Sequence, residues 1–121
     1  MKTYLTIIFF LLLTPLALVA QKDRNTEEYK LAAIGFYNLE NLFDTIDSPT
    51  TNDADFLPGG RLLWNTEKYV SKQANMAKVI SQLATDLTPD GVALLGVAEV
   101  ENRKVLEDLV AQPELKDRNY Q

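Results

Sequence analysis

Two polar residues close apolar stretches at places where chemistry could follow: Asn38 after Leu31–Tyr37, and Glu99 after Val92–Ala98. The second stretch is unbroken and preceded by the turn signal Pro89-Asp-Gly91. So short an apolar run without polar alternation reads as a strand covered on both faces. A carboxylate at the edge of a dry core is costly unless a cation, a base or a set of donors compensates it. In open α/β sheets ligands gather beyond the carboxyl ends of the strands, so Glu99 has the chemistry and the place of a metal ligand. Asn38 admits two readings. Asparagine is common as a turn residue where strands end, and its side-chain carbonyl could equally serve a cation or a phosphate. Glu101 shares a strand face with Glu99 but lies beyond the apolar run, which points to solvent or to the start of the next helix rather than to a metal.

A second group of acids, Asp47, Asp53 and Asp55, lies in the polar insertion Thr45–Trp64, ahead of Pro58-Gly-Gly60. Gly59-Gly60 runs into Arg61-Leu62 and lacks the Lys-Ser/Thr of a phosphate-binding loop. The aspartates lack the glycine and the terminal glutamate of a calcium loop. A solvated acidic loop is the expectation.

The elements that must position Asn38 and Glu99 follow from periodicity. Leu31–Tyr37 reads as a first strand and Val92–Ala98 as a second. Between them Asn65 or Thr66 can cap a helix running to about Ala84. Tyr69, Gln73, Met76, Ala77, Ile80, Leu83 and Ala84 share one side of it, and Lys68, Lys72, Asn75, Lys78 and Gln82 form a solvated side. Asn102 is placed to cap a last helix with Val105, Leu106, Leu109 and Val110 as its buried stripe, ended by Pro113. The tail Glu114–Gln121 has no strong pattern. Parallel strands joined by a crossover helix finish at the same edge, almost always with a right-handed crossover. That topology brings Asn38 and Glu99 together.

The chain has 121 residues, 46% hydrophobic and 24% charged, which bounds it to one domain of ordinary globular composition. Lys2, the apolar Leu5–Leu13, Thr14-Pro15 and the small residue Ala20 read as a secretory signal peptide over 1–20, followed by a flexible leader over 21–30. The expected location is therefore secreted or periplasmic. There is no cysteine to form a disulfide or carry a lipid, so no stable membrane anchor is expected after cleavage. The 12 basic and 17 acidic residues give a net charge of −5. No basic patch is visible of the kind that phosphate-tracking proteins usually show.

Tyr-Asn38-Leu-Glu-Asn-Leu-Phe-Asp44 with Gly96-Val-Ala-Glu99-Val-Glu-Asn102-Arg103 resembles the endonuclease/exonuclease/phosphatase family, whose fold is DNase I-like. The intervening Trp64-Asn-Thr66, Lys68-Tyr69 and Asn75-Met-Ala-Lys-Val-Ile80 resemble its secreted bacterial branch. The similarity covers about Leu31 to Val110. It implies a four-layer α/β sandwich, of which 31–121 would be the amino-terminal βαβ-plus-helix part. It also implies a divalent-metal site containing Glu99 as a ligand and Asn38 beside it, with magnesium as the ion and manganese as the alternative. The implied substrate is a phosphoester: nucleic acid, phospholipid or a small phosphate ester. The family activates water with a late His–Asp pair, and this chain has no histidine. A magnesium-dependent hydrolase is therefore the expectation for the parent domain, with 31–121 an incomplete part that is inactive alone and exposes apolar surface where a second sheet is missing. The alternative is a small exported α/β interaction module without catalysis, in which Glu99 is a strand-end residue bonded to a helix amino terminus.

Overall fold

The computed structural model describes residues 29–121. The expected signal peptide, 1–20, and the leader, 21–30, apart from its last two residues, lie outside the described part. Leu31–Gln121 forms one compact unit.

Two strands and two helices carry it. Ala33–Leu42 is β1, Thr66–Gln82 is α1, Val92–Val100 is β2 and Arg103–Val110 is α2, with 3-10 turns at Ala54–Phe56 and Lys116–Arg118. β1 and β2 pair in parallel, with Ile34 opposite Leu94, Phe36 opposite Gly96 and Asn38 opposite Ala98. A parallel pair needs a crossover of a dozen or more residues, and the segment holding α1 supplies it. This is the expected α/β, βαβ-plus-helix arrangement. Both strands run past their apolar stretches, because their ends are held by contacts outside the regular ladder.

Each helix begins at an asparagine cap that satisfies an otherwise orphaned donor. Asn65 Oδ1 accepts from Lys68 N at 3.0 Å, and Asn102 Oδ1 accepts from Val105 N at 3.0 Å. Met76, Ala77 and Ile80 of α1, Val105 and Leu109 of α2, Leu115, and Leu39 and Leu42 of β1 form one core. Removing each large member from water contributes about 1.5–3 kcal/mol. Gln73 sits in the same stripe and is buried. Its amide donates to Tyr69 Oη at 2.8 Å and to Val105 O at 3.0 Å, which ties α1 to α2. Tyr69 in turn donates to Asp108 Oδ2 at 2.9 Å; burial and that bond push its phenol pKa up. The tail is fastened too: Leu115 lies in the core, and Tyr120 Oη donates to Val92 O at 2.7 Å.

One expectation needs correction. The apolar run of β2 reads as a strand covered on both faces, but both helices pack against the single face of Tyr37, Leu39, Leu95 and Val97. On the other face Ile34, Phe36 and Leu94 are 78%, 71% and 62% exposed. Successive residues of a strand alternate between faces, so one shared core can cover only one parity of β1 and β2.

Asn102 has a second task, donating through Nδ2 to Asp44 Oδ2 at 3.2 Å. Asn102→Ala is therefore expected to lower stability by about 1–2 kcal/mol in a urea titration, and by more than Asn65→Ala. Equal losses would mean that the bond to Asp44 contributes nothing.

Candidate metal-binding rim

At the carboxyl end of the sheet the ladder breaks. Asn38 stands opposite Ala98 and Leu42 opposite Val100, so Leu39, Glu40 and Asn41 of β1 face Glu99 alone. The bulge is built from left-handed backbone, with φ at 52° for Glu40, 59° for Asn41 and 56° for Glu99. That conformation costs roughly 1–2 kcal/mol for a residue with a Cβ, and asparagine tolerates it best. It persists only where the surroundings over-determine it.

The surroundings do so carbonyl by carbonyl. Glu40 O and Asn41 O both accept from Lys72 Nζ of α1, the second at 3.3 Å. Leu42 O accepts from Glu101 N at 3.1 Å, and Phe43 O from Trp64 Nε1 at 3.0 Å. Among the donors, Glu40 N reaches Asn38 Oδ1 at 2.7 Å and Asp44 N reaches Glu101 Oε2 at 2.9 Å. Leu39 and Leu42 are core residues, and Phe43 stacks on Phe56 with ring centroids 4.2 Å apart. Most of Asn38–Asp44 and of Glu99–Asn102 is therefore architecture that holds the rim.

The two side chains singled out by sequence meet there. Asn38 Nδ2 donates to Glu99 Oε1 at 2.9 Å. A backbone N–H needs an acceptor, so the bond from Glu40 N identifies which end of the amide is oxygen. Asn38 thus turns its NH2 toward the carboxylate and keeps its carbonyl on its own strand. Both side chains are exposed, and Glu99 Oε2 has no hydrogen bond among the described residues. The carboxylate expected at the edge of a dry core stands in water: Glu99 is exposed, while Val97 and Val100 on either side of it still pack against the core.

Periodicity missed two other residues, Lys72 and Asp53. Helical spacing puts Lys72 among the solvated lysines, yet it is half-buried and lies 5.6 Å from the Trp64 ring centroid. Burial pushes its ammonium pKa down, while the negative charges of Glu40 and Glu99 pull it back up. Asp53 is not part of a solvated loop: it is 4% exposed and its Oδ2 accepts from Ser48 N at 2.9 Å. Asp55 keeps the expected exposed character and pairs with Arg61 at 2.7 Å. Glu101 takes the second of its two expected places, at the start of α2, where it accepts from Asp44 N, and burial pushes its pKa up against the opposing pull of that backbone bond. Among the described residues no group of three or more histidine, cysteine or acidic side chains is arranged to hold a metal.

The raised Glu101 pKa has a definite sign for stability. The protonated form is favoured by folding, so its contribution is full below the ordinary glutamate pKa, about 4.3, and is lost as pH rises through the raised value. Relative to Glu101→Gln, the wild-type chain should lose stability between that pH and neutrality. Parallel stability curves for the two proteins would contradict this.

A sequence profile of the endonuclease/exonuclease/phosphatase family matches residues 33–121. Neither the curated proteins nor the solved structures compared with the chain gave a match. The matched segment spans well over half of the 121 residues and contains both strands, both helices and the whole rim from Asn38 to Asn102. The chain belongs to the endonuclease/exonuclease/phosphatase family.

Proposed function

We propose that residues 31–121 form the divalent-cation-binding part of a secreted or periplasmic phosphoester hydrolase, with Glu99 as the direct ligand and Asn38 as the residue that aims it. Family membership supports a phosphoesterase-type domain. The observation that carries the assignment to these two residues is the 2.9 Å bond from Asn38 Nδ2 to Glu99 Oε1 at the ends of two parallel strands.

The donor set fits magnesium, and manganese as its substitute. Magnesium binds through one or two carboxylates, keeps several waters and takes substrate phosphate oxygens, and it does not require an all-protein cage. One exposed carboxylate, anchored through Oε1 by an amide and open at Oε2, is suited to that mode. For Asn38 to ligate directly, its oxygen would first have to leave Glu40 N. When bound, the ion polarises a phosphoryl group and screens charge in an in-line displacement. Asn38 keeps the carboxylate oriented meanwhile, and Lys72, Trp64 and Glu101 keep the strand end in place.

The substrate class is a phosphoester: a nucleic acid, a phospholipid or a small phosphate ester. The net charge of −5 over the 121 residues weighs against tracking a long polyanion. The chain has no histidine, so an imidazole base for the attacking water is not among its residues. The chain alone should bind the ion without turnover. Export rests on Lys2 and the apolar Leu5–Leu13 ahead of Ala20.

Calorimetric titration with magnesium tests the assignment. Wild-type chain should bind one ion, Glu99→Gln should abolish binding, and Asn38→Ala should weaken it by about 10–100-fold, the usual effect of losing an outer-shell partner. Binding that survives Glu99→Gln, or no binding by the wild type, would favour an exported interaction module without catalysis.

A further inference from the structure

Lys72 lies one turn beyond Lys68 on α1, where helical spacing places solvated lysines, yet its ammonium is spent on the neighbouring strand. It donates to Glu40 O and Asn41 O, and Trp64 closes its other side. Those two carbonyls belong to the left-handed residues of the bulge, which the β ladder no longer serves. An ammonium carries three donors on a flexible stem, so one lysine can serve two diverging carbonyls. Trp64 extends the clamp by one more group, donating to Phe43 O at 3.0 Å. Lys68, by contrast, reaches only Leu62 O, in the loop.

The bulge is also what aims Asn38. Glu40 N holds Asn38 Oδ1 at 2.7 Å, and Asn38 Nδ2 holds Glu99 Oε1 at 2.9 Å. Hydrogen bonds and the left-handed backbone of Glu40 therefore link the helix to the carboxylate without a gap.

We propose that Lys72 is a positioning residue for the rim: it holds the Glu40–Asn41 bulge in the conformation that turns the Asn38 amide onto Glu99. Its functional consequence rests on Glu99 being the cation ligand, as proposed above; its geometric consequence does not. Charge gives the role a sign that a bystander lysine would not share. Lys72 and Glu99 are close enough to interact electrostatically, so a lysine acting through charge alone would repel a cation from Glu99, and deleting it would tighten binding. A positioning lysine does the reverse.

The test uses the chain with magnesium alone as the probe. Lys72→Met keeps the stem beside Trp64 and deletes the donors, whereas Lys72→Arg keeps the charge, the donors and the ring contact. The second readout is the side-chain amide resonance of Asn38, identified by its loss in Asn38→Asp. Lys72→Met should weaken magnesium binding at least about fivefold despite removing a positive charge, and Lys72→Arg should recover most of it. The Asn38 resonance in Lys72→Met should move toward its position in Glu99→Gln. Unchanged or tighter binding in Lys72→Met overturns the role, as does weaker binding with the Asn38 resonance unmoved. If wild-type chain binds no magnesium, the ligand assignment of Glu99 fails, and the Asn38 resonance alone decides the role of Lys72, for it if shifted and against it if not. Should Lys72→Met fail to fold, Lys72→Gln, which replaces three charged donors by the two of a shorter neutral amide, carries the same comparison.

Discussion

Three left-handed residues with side chains, Glu40 and Asn41 on one strand and Glu99 on its neighbour, are the constraint that the rest of this α/β unit is arranged around. Where three residues of β1 face one of β2, the ladder cannot pair the backbone groups between them. Unpaired groups near a core are expensive, so the chain recruits partners from a distance. Lys72 comes from the crossover helix, Trp64 from the loop before it, and Glu101 from just past the end of β2. The bulge in return carries Asn38 onto Glu99.

Support and rim divide along the line between core and water. Leu39 and Leu42 alternate inward from the same segment that presents Asn38 outward, so the core anchors the strand on both sides of the bulge. Asp44, Glu101 and Asn102 form a second layer, in which Asn102 caps α2 and also holds Asp44, while Glu101 holds the backbone of Asp44. Glu99 itself remains in water. It therefore avoids the desolvation cost of a buried charge, and the strength of a cation complex there depends on the valence of the ion and on a phosphate that completes its shell.

Much of this was legible in the sequence, for identifiable reasons. Apolar runs marked both strands, Asn65 or Thr66 and then Asn102 marked the helix starts, and parallel topology implied that Asn38 and Glu99 finish at one edge. The bulge was not legible, because no glycine flags it: Glu40, Asn41 and Glu99 adopt left-handed backbone through tertiary contacts alone. For the same reason Lys72 looked like a solvated lysine, since helical periodicity cannot see a carbonyl displaced from a neighbouring strand. Asp53 and the Phe43–Phe56–Trp64 cluster turned a loop read as solvated into a packed one, through pairings that follow no period. A continuous apolar run records which residues avoid water, not which elements cover them, so the open face of Ile34, Phe36 and Leu94 agrees with the expected exposed apolar surface and not with cover on both faces.

The most direct measurement is the anomalous scattering of manganese in crystals of the chain grown with that ion. An ion peak about 2.1 Å from a Glu99 carboxylate oxygen, with the Asn38 amide still bonded to the other oxygen, is the expected result. An ion bound elsewhere on the chain while Glu99 stays free, or Asn38 and Glu99 found apart in the same crystals, would contradict the metal-binding rim.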